Sequence, residues 1–288
     1  MNVVKARKIW YAISGTLILV SMISYAVWGL KLGIEFTGGS LAEYKVAGAT
    51  TAEVQKIVSD AGIANASVVS TTNGMIVRMQ EVNGDKHTAM VAGMKKAWKD
   101  TEEVRFESVG PSIGAELRSK AVTAVVIMLL LICAYIAYAF RKVTGRIQAW
   151  KYGVVTILIG LNDAIVPVGA FAIFGHLAGW EVNGAFVAAI LTILGYSIND
   201  TIVVFDRIRE NLTKTEGTVA EIVEHSIHQT AVRSINTSMT VVLSLLAIYL
   251  FGGDSTKSFA MALIIGVVAG TYSSIFLASP LLVDWQKK

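Results

Sequence analysis

Three ionisable residues, Asp163, Asp200 and Arg233, stand within or at the edge of stretches otherwise suited to hydrocarbon. Desolvating such groups in a membrane costs several kcal/mol, so their presence points to function. They belong to three separate helices, so packing could bring them together in the bundle interior. Low dielectric favours a neutral acid, whereas a guanidinium nearby favours the carboxylate. Opposed influences of this kind leave an acid that loads and releases a proton. A proton crossing the field gains ~2.3 kcal/mol per 100 mV, enough to bias a conformational step. The expected chemistry is a proton relay driving conformational cycling. A structural Asp–Arg pair that only locks helices would need one acid; the second carboxylate leaves a group able to change protonation.

The neighbouring residues suggest polar seams around the trio. Arg233, Asn236 or Thr237, Thr240 and Ser244 recur at helical spacing, and Thr192, Tyr196, Asn199 and Asp200 occupy adjoining positions one span earlier. Tyr196, Asn199, Thr237 and Thr240 are the expected polar lining of the relay. Pro167 cannot donate to the carbonyl of Asp163, which predicts a free acceptor and a bend beside that acid. His225 and His228 lie near Glu221 and Glu224 at a spacing that suits metal, but with no second cluster the pattern reads as a solvated helix. No metal site and no cofactor other than the proton is expected. Asp163 and Asp200 as an aspartyl protease dyad would share one proton. Intramembrane proteases of that type carry Gly-x-Gly-Asp where this chain has Gly160-Leu-Asn-Asp163.

The elements that must hold these residues are read from hydropathy. The chain has 288 residues, 16% of them charged, and a mean hydropathy of +0.59, a profile foreign to soluble globular domains. The net charge of +4 sits largely in short loops and calls for no nucleic-acid partner. Spanning ~30 Å of hydrocarbon takes roughly 20 apolar helical residues. Six stretches qualify: Ile9–Leu30, Ala121–Phe140, Gly153–Gly175, Gly184–Phe205, Ser234–Gly253 and Ser258–Val283. The first is longer than the roughly 7–15 apolar residues of a signal peptide, so it reads as an uncleaved anchor. Lys5, Arg7 and Lys8, then Arg141, Lys142, Arg146 and Lys151, then Arg207, Arg209 and Lys214, and finally Lys287 and Lys288 mark one side of the membrane. By the positive-inside rule that side is cytoplasmic and holds both termini. Ala262, Gly266, Gly270, Ser274 and Ala278 form a small-residue stripe for close helix packing in the last span.

Residues 31–120 then lie outside the cytoplasm as one inserted unit. Leu41–Val46 alternates as a strand, Thr51–Ala61 forms a helix stopped by Gly62, and Ser67–Thr71 and Met75–Met79 flank an Asn73-Gly74 hairpin turn. Thr88–Lys99 forms a second helix, with Val91, Met94, Ala97 and Trp98 inward, and Val104–Val109 a last strand. The order β-α-β-β-α-β predicts a ferredoxin-like α+β domain. The predicted architecture is a membrane all-α bundle of six transmembrane helices with this domain inserted. Residues 1–30 carry the first span and 121–288 the other five, with cytoplasmic loops at 141–152 and 206–233.

Several segments together resemble the SecF family: Gly33-Ile-Glu-Phe-Thr-Gly-Gly39, with Glu35 where the family usually has Asp; Val109-Gly-Pro-Ser-Ile-Gly-Ala-Glu-Leu117; Gly195 to Asn211, the most specific; and Tyr249-Leu-Phe-Gly-Gly253. The resemblance covers essentially the whole chain, in order. It implies an RND-like architecture and pairing with SecD, which carries a relay acid of its own. It also implies proton-driven help for polypeptides leaving the SecYEG channel, after or beside the ATP-driven pushing of SecA. The expected setting is the bacterial cytoplasmic membrane, with lipids around the spans. The family's relay acid falls on Asp200 and its arginine on Arg233. The family's third-span Asp usually follows His; here Asn162 precedes Asp163, which argues against a role for position 162. The alternative is an RND-like half-transporter for a small molecule or lipid, although a 90-residue external domain is small for its porter modules.

Overall fold

The computed structural model describes residues 2–71, 74–139 and 147–286. The chain divides into two compact units, Met1–Lys31 with Thr123–Lys288, and Leu32–Val122. Among the described residues, six helices are long and apolar enough to cross a membrane. Asn73 of the expected hairpin turn, the loop residues Arg141, Lys142 and Arg146, and the terminal Lys287 and Lys288 lie outside the described residues.

In the helical unit, α1 (Arg7–Trp28) is followed, after the small unit, by the later part of α5 (Pro111–Ala139). Then come α6 (Ala149–Ala178), α7 (Gly184–Lys214), α8 (Val219–Phe251) and α9 (Asp254–Ser273), which continues through a π-helical turn, Ser274–Ala278, into α10 (Ser279–Gln286). The region 206–233, expected as a loop, is almost wholly helical. Arg207, Arg209 and Lys214 pair with Asp206 and Glu210 along α7, and a Thr218–Glu221 capping box starts α8 at Val219, well before the Ser234 at which its apolar stretch begins. The solvated helix read around His225 and His228 and the fifth span are thus one continuous helix. Polar and apolar turns join because nothing between them breaks the hydrogen-bond ladder.

Helix α9 packs against α6, α7 and α8. The small-residue stripe explains how closely: a Cβ on Gly266 would overlap the side chain of Ile193, and one on Gly270 would sit 2.7 Å from Ser197 Cβ. Where lipid tails are as apolar as leucine, close backbone approach replaces the hydrophobic effect as the source of helix association. At the start of the chain, Glu224 of α8 accepts the backbone N–H groups of Val3 and Val4 at 2.9 and 2.7 Å. These are donors ahead of α1 that no helical carbonyl satisfies.

The small unit runs α2 (Ile34–Thr37), β1 (Gly39–Lys45), α3 (Thr51–Asp60), β2 (Ser67–Ser70), β3 (Met75–Met79), α4 (Gly84–Ala97) and β4 (Glu102–Val109), and includes the first turns of α5. The sheet order is β2-β3-β1-β4, all neighbours antiparallel. Ala42, Tyr44, Val54, Val58, Met75, Val77, Met90 and Met94 form its core, with period two on the strands and three to four on the helices. Thr50 and Glu53 form a capping box at α3, and Gly62, at φ +75°, follows its end. Helix α4 begins four residues before the expected Thr88, because Asn83 caps it by accepting from the Lys86 N–H at 3.2 Å.

Two glycine motifs meet within this unit. A Cβ on Gly38, at φ +74°, would lie 2.7 Å from Pro111 Cα, one on Gly39 2.7 Å from the Met79 carbonyl oxygen, and one on Gly114 2.9 Å from the Gly38 nitrogen. The motif after the first span and the motif before the second are therefore two halves of one backbone contact.

Two outcomes follow from this packing. Gly266→Leu should destabilise the helical unit by about 1–3 kcal/mol through overpacking, read as a lower thermal midpoint in detergent. Gly15→Leu, with nothing within 4 Å of its Cβ position, should leave that midpoint in place. In the small unit, the Thr50 N–H and hydroxyl donate to Glu53 and hold its carboxyl below the usual range. That stabilisation is present above the unfolded-state pKa and lost as pH falls through the lower folded value. Hydrogen exchange of α3 amides should accordingly rise on acidification in the wild type more than in Glu53→Gln.

Candidate functional site

Asp163 sits at the centre of α6, fully buried. Three side chains from three helices reach it: Asn162 Nδ2 donates at 2.9 Å, Ser273 Oγ donates at 2.9 Å, and Ser197 Oγ of α7 donates through a short bond. Asn162 in turn accepts from Ser14 Oγ of α1 at 2.7 Å, so the network ties α1, α6, α7 and α9. Position 162, discounted on the sequence, is therefore part of it: an amide both donates to the acid and accepts from α1.

Asp200 lies on α7 and is half-buried. Ser234 Oγ of α8 donates to its Oδ1 at 2.5 Å, and Ser274 Oγ donates to its Oδ2 at 2.5 Å. Consecutive serines of the last span thus hold two acids on two different helices. Successive residues of a helix diverge by about 100°, and that angle lets Ser273 face α6 while Ser274 faces α7.

Arg233 does not join either acid. It is exposed and lines a cavity of about 400 Å³ together with Ile202, Val203, Asp206, Arg207, Arg209 and Thr230. Among the described residues no hydrogen bond or ion pair links it to Asp163 or Asp200. Ser234, the next residue, takes the place facing Asp200 that charge complementarity assigned to the arginine. Nor are the two acids bonded to each other, as a protease dyad requires.

The expected polar lining divides. Tyr196 bonds Ser238 at 3.2 Å, and Thr271 donates to the same serine at 2.5 Å. Thr237 and Thr240 are exposed and donate to carbonyls of their own helix, those of Arg233 and Thr237. Asn199 is exposed. His228 bonds Glu224 at 3.0 Å and His225 bonds Gln229 at 2.8 Å; among the described residues no cluster of three or more metal-ligating side chains occurs.

The serines went unread because a serine in an apolar helix is common and its spacing does not say which neighbour it will meet. The available signal was Ser197, three residues before Asp200 and so on nearly the same face, and the adjacent pair Ser273-Ser274 inside the stripe.

Chemically, these partners suit either protonation state. A hydroxyl donates to a carboxylate or accepts from a carboxylic acid. A guanidinium does only the first. The arrangement holds two titratable groups in place without committing them to charge.

The model of a family described as "Protein export membrane protein SecD/SecF, C-terminal" matches residues 89–288. A "Protein translocase subunit SecF" of Thermobaculum terrenum is 41% identical over 303 aligned positions, covering 100% of this chain and 95% of the relative. The chain belongs to the SecF family. The SecF of Anaerolinea thermophila is 42% identical, covering 99% of this chain and 94% of that one. The crystal structure of SecDF from Thermus thermophilus, described as a translocon-associated membrane protein, aligns with a TM-score of 0.87 at 31% identity. It covers all of this chain and 39% of that one. SecDF in a super-membrane-facing form aligns at 0.69. The SecF-like stretch Gly195–Asn211 is the part of α7 that bonds α6, α8 and the last span: Ser197 reaches α6, Asp200 reaches α8 and the last span, and Asn211 donates to Ser226 and Gln229 of α8, both at 2.9 Å.

A structural Asp–Arg lock and the observed hydroxyl clamps differ in a measurable way. Arg233→Met should shift stability by no more than about 0.5 kcal/mol, as for a substitution that breaks no buried bond. Asp163→Leu strands Asn162, Ser197 and Ser273, and should cost at least about 1–3 kcal/mol. Thermal or denaturant unfolding of the two variants in detergent makes the comparison.

Proposed function

We propose that this chain is the SecF-type subunit of a SecD–SecF assembly that uses the proton gradient to assist Sec-dependent translocation of polypeptides from SecYEG across the bacterial cytoplasmic membrane. It is an accessory subunit of a translocase, not a catalyst of a covalent reaction. In this reading both termini face the cytoplasm, and the small unit is a ferredoxin-like domain on the other side. Its β-α-β-β-α-β order and sheet order β2-β3-β1-β4 support the fold, and the basic residues of the short loops support the orientation.

The observation that carries the proton-coupled part is the setting of Asp200. It is a carboxyl inside a span, held by Ser234 and Ser274, with no cation to fix its charge among the described residues. The cavity beside it is lined by Ile202, Val203 and Arg233, close in sequence to Asp200 and Ser234, and in this reading it is the side from which water approaches the acid. Asp163 is the second acid, and Arg233 acts at the cavity mouth as a fixed positive charge that tunes proton entry. Asn236 and Arg233 stand exposed on α8. Polar side chains at membrane depth need protein cover or water, which supports a SecD-type subunit lying against that face.

Proton-dependent export of a secreted reporter into inverted membrane vesicles tests this reading. Asp200→Asn and Arg233→Met should reduce it to the level of vesicles lacking the chain, with membrane insertion and SecD association retained. Full export by either variant would reject the relay. Failure to recover a SecD-type partner with the tagged wild type would favour an RND-like half-transporter instead.

A further inference from the structure

The hydroxyls of Ser273 and Ser274 have more acceptors than protons. Ser273 Oγ is 2.9 Å from Asp163 Oδ2 and 3.0 Å from the carbonyl oxygen of Gly270. Ser274 Oγ is 2.5 Å from Asp200 Oδ2 and 3.1 Å from the carbonyl oxygen of Thr271. Each hydroxyl has one proton to give. While the acid is a carboxylate, it takes that proton. When the acid's single proton sits on the Oδ2 facing the serine, that oxygen becomes the donor, the serine oxygen accepts, and the serine proton turns to the carbonyl three residues back; the acid's other oxygen goes on accepting.

Those carbonyls stand where the helix changes type. The Gly270 carbonyl already accepts the N–H of Ser274, and Ser274 opens the π-helical turn that runs to Ala278. A hydroxyl arriving at the same oxygen competes with the backbone ladder and loosens it. π-Turns inside α-helices recur at functional sites. The last span has no side chain of its own at these contacts, because Gly266 and Gly270 bring its backbone directly onto Ile193 and Ser197 of α7.

We propose that Ser273 and Ser274 are positioning residues that report the protonation of Asp163 and Asp200 to the backbone of the last span, switching the α–π junction between two hydrogen-bonded registers. The inference deepens the proton-coupled reading and rests on it. Around Asp163 the facing groups are Asn162 of α6, Ser197 of α7 and Ser273; around Asp200 they are Ser234 of α8 and Ser274. Arg233 is the neighbouring cation on α8, in the cavity. Two acids and two adjacent serines make one span the common reader of both sites, and its packing against α6, α7 and α8 delivers the switch to the bundle.

Hydrogen–deuterium exchange on the full chain with its SecD-type partner in lipid nanodiscs tests this without any export assay. Protection of the 270–278 backbone, corrected for intrinsic exchange, should step between two plateaus across a pD series. The plateaus should differ by about threefold to tenfold, the worth of one backbone hydrogen bond. Asp200→Asn should remove the Asp200 part of the step and hold the segment near its acid-side plateau. In Ser274→Ala the Asp200→Asn exchange change should vanish, while the response to Asp163→Asn persists. Ser273→Ala should show the reverse selectivity. Ser274→Thr keeps a hydroxyl and should restore the response, which a merely structural serine would not predict. Flat protection across the series, or an Asp200→Asn response undiminished in Ser274→Ala, overturns the proposal. Export that ignores Asp200→Asn while the exchange step remains would reject the transport reading and leave the switch standing.

Discussion

Carboxylates held by hydroxyls are the interaction on which the helical unit depends. Asp163 draws in Ser197 and Ser273, and Asp200 draws in Ser234 and Ser274. Between them these bonds join α6, α7, α8 and the last span at membrane depth, where an unsatisfied polar group would be expensive. The backbones must come close for such short side chains to reach, and the glycines of α9 make that approach possible. Packing and polar chemistry are the same feature seen twice. Were a larger residue to push α9 away from α7, the serines would lose the acids as well.

Replacing cations by hydroxyls changes what the site can do. An ion pair fixes the charge of both members and resists protonation of the acid. A hydroxyl reverses its bond at little cost. A cross-link of this kind survives a change in which partner holds the proton, whereas an ion pair does not. Arg233, freed from the acids in this arrangement, sits instead on the wall of a cavity among Asp206, Arg207 and Arg209.

The sequence disclosed the spans and the small unit well, because both rest on strong periodic signals. Apolar stretches of span length are hard to mistake, and β1 and β3 alternate cleanly around Tyr44 and Val77. Its failures were local and have physical causes. Helix α4 started early because Asn83 supplied a cap, and α8 absorbed a supposed loop because a capping box at Thr218 nucleated it far from the apolar run. The acids were legible as isolated charges in hydrocarbon, but their partners were not. Pairing Arg233 with an acid followed charge alone, whereas the choice between Arg233 and Ser234 is one of helical phase, set by how α8 rotates against α7. Asn162 shows the same limit: the residue type suggested little, and its position beside Asp163 and opposite Ser14 decided its part. Likewise the glycine motifs looked like family marks of unknown purpose, and the fold shows them touching one another at Gly38 and Pro111.

The carboxylate of Glu224 grips the amides of Val3 and Val4, so the opening residues are tethered to the fifth span and not merely trailing in solvent. An affinity handle or fluorescent label fused close to that end would pull on α8, the helix that carries Ser234 and Arg233. Reporter placement on this protein is consequently a mechanical choice: a probe at the front end loads α8, and a long, uncharged spacer ahead of Asn2 is what keeps the reading faithful.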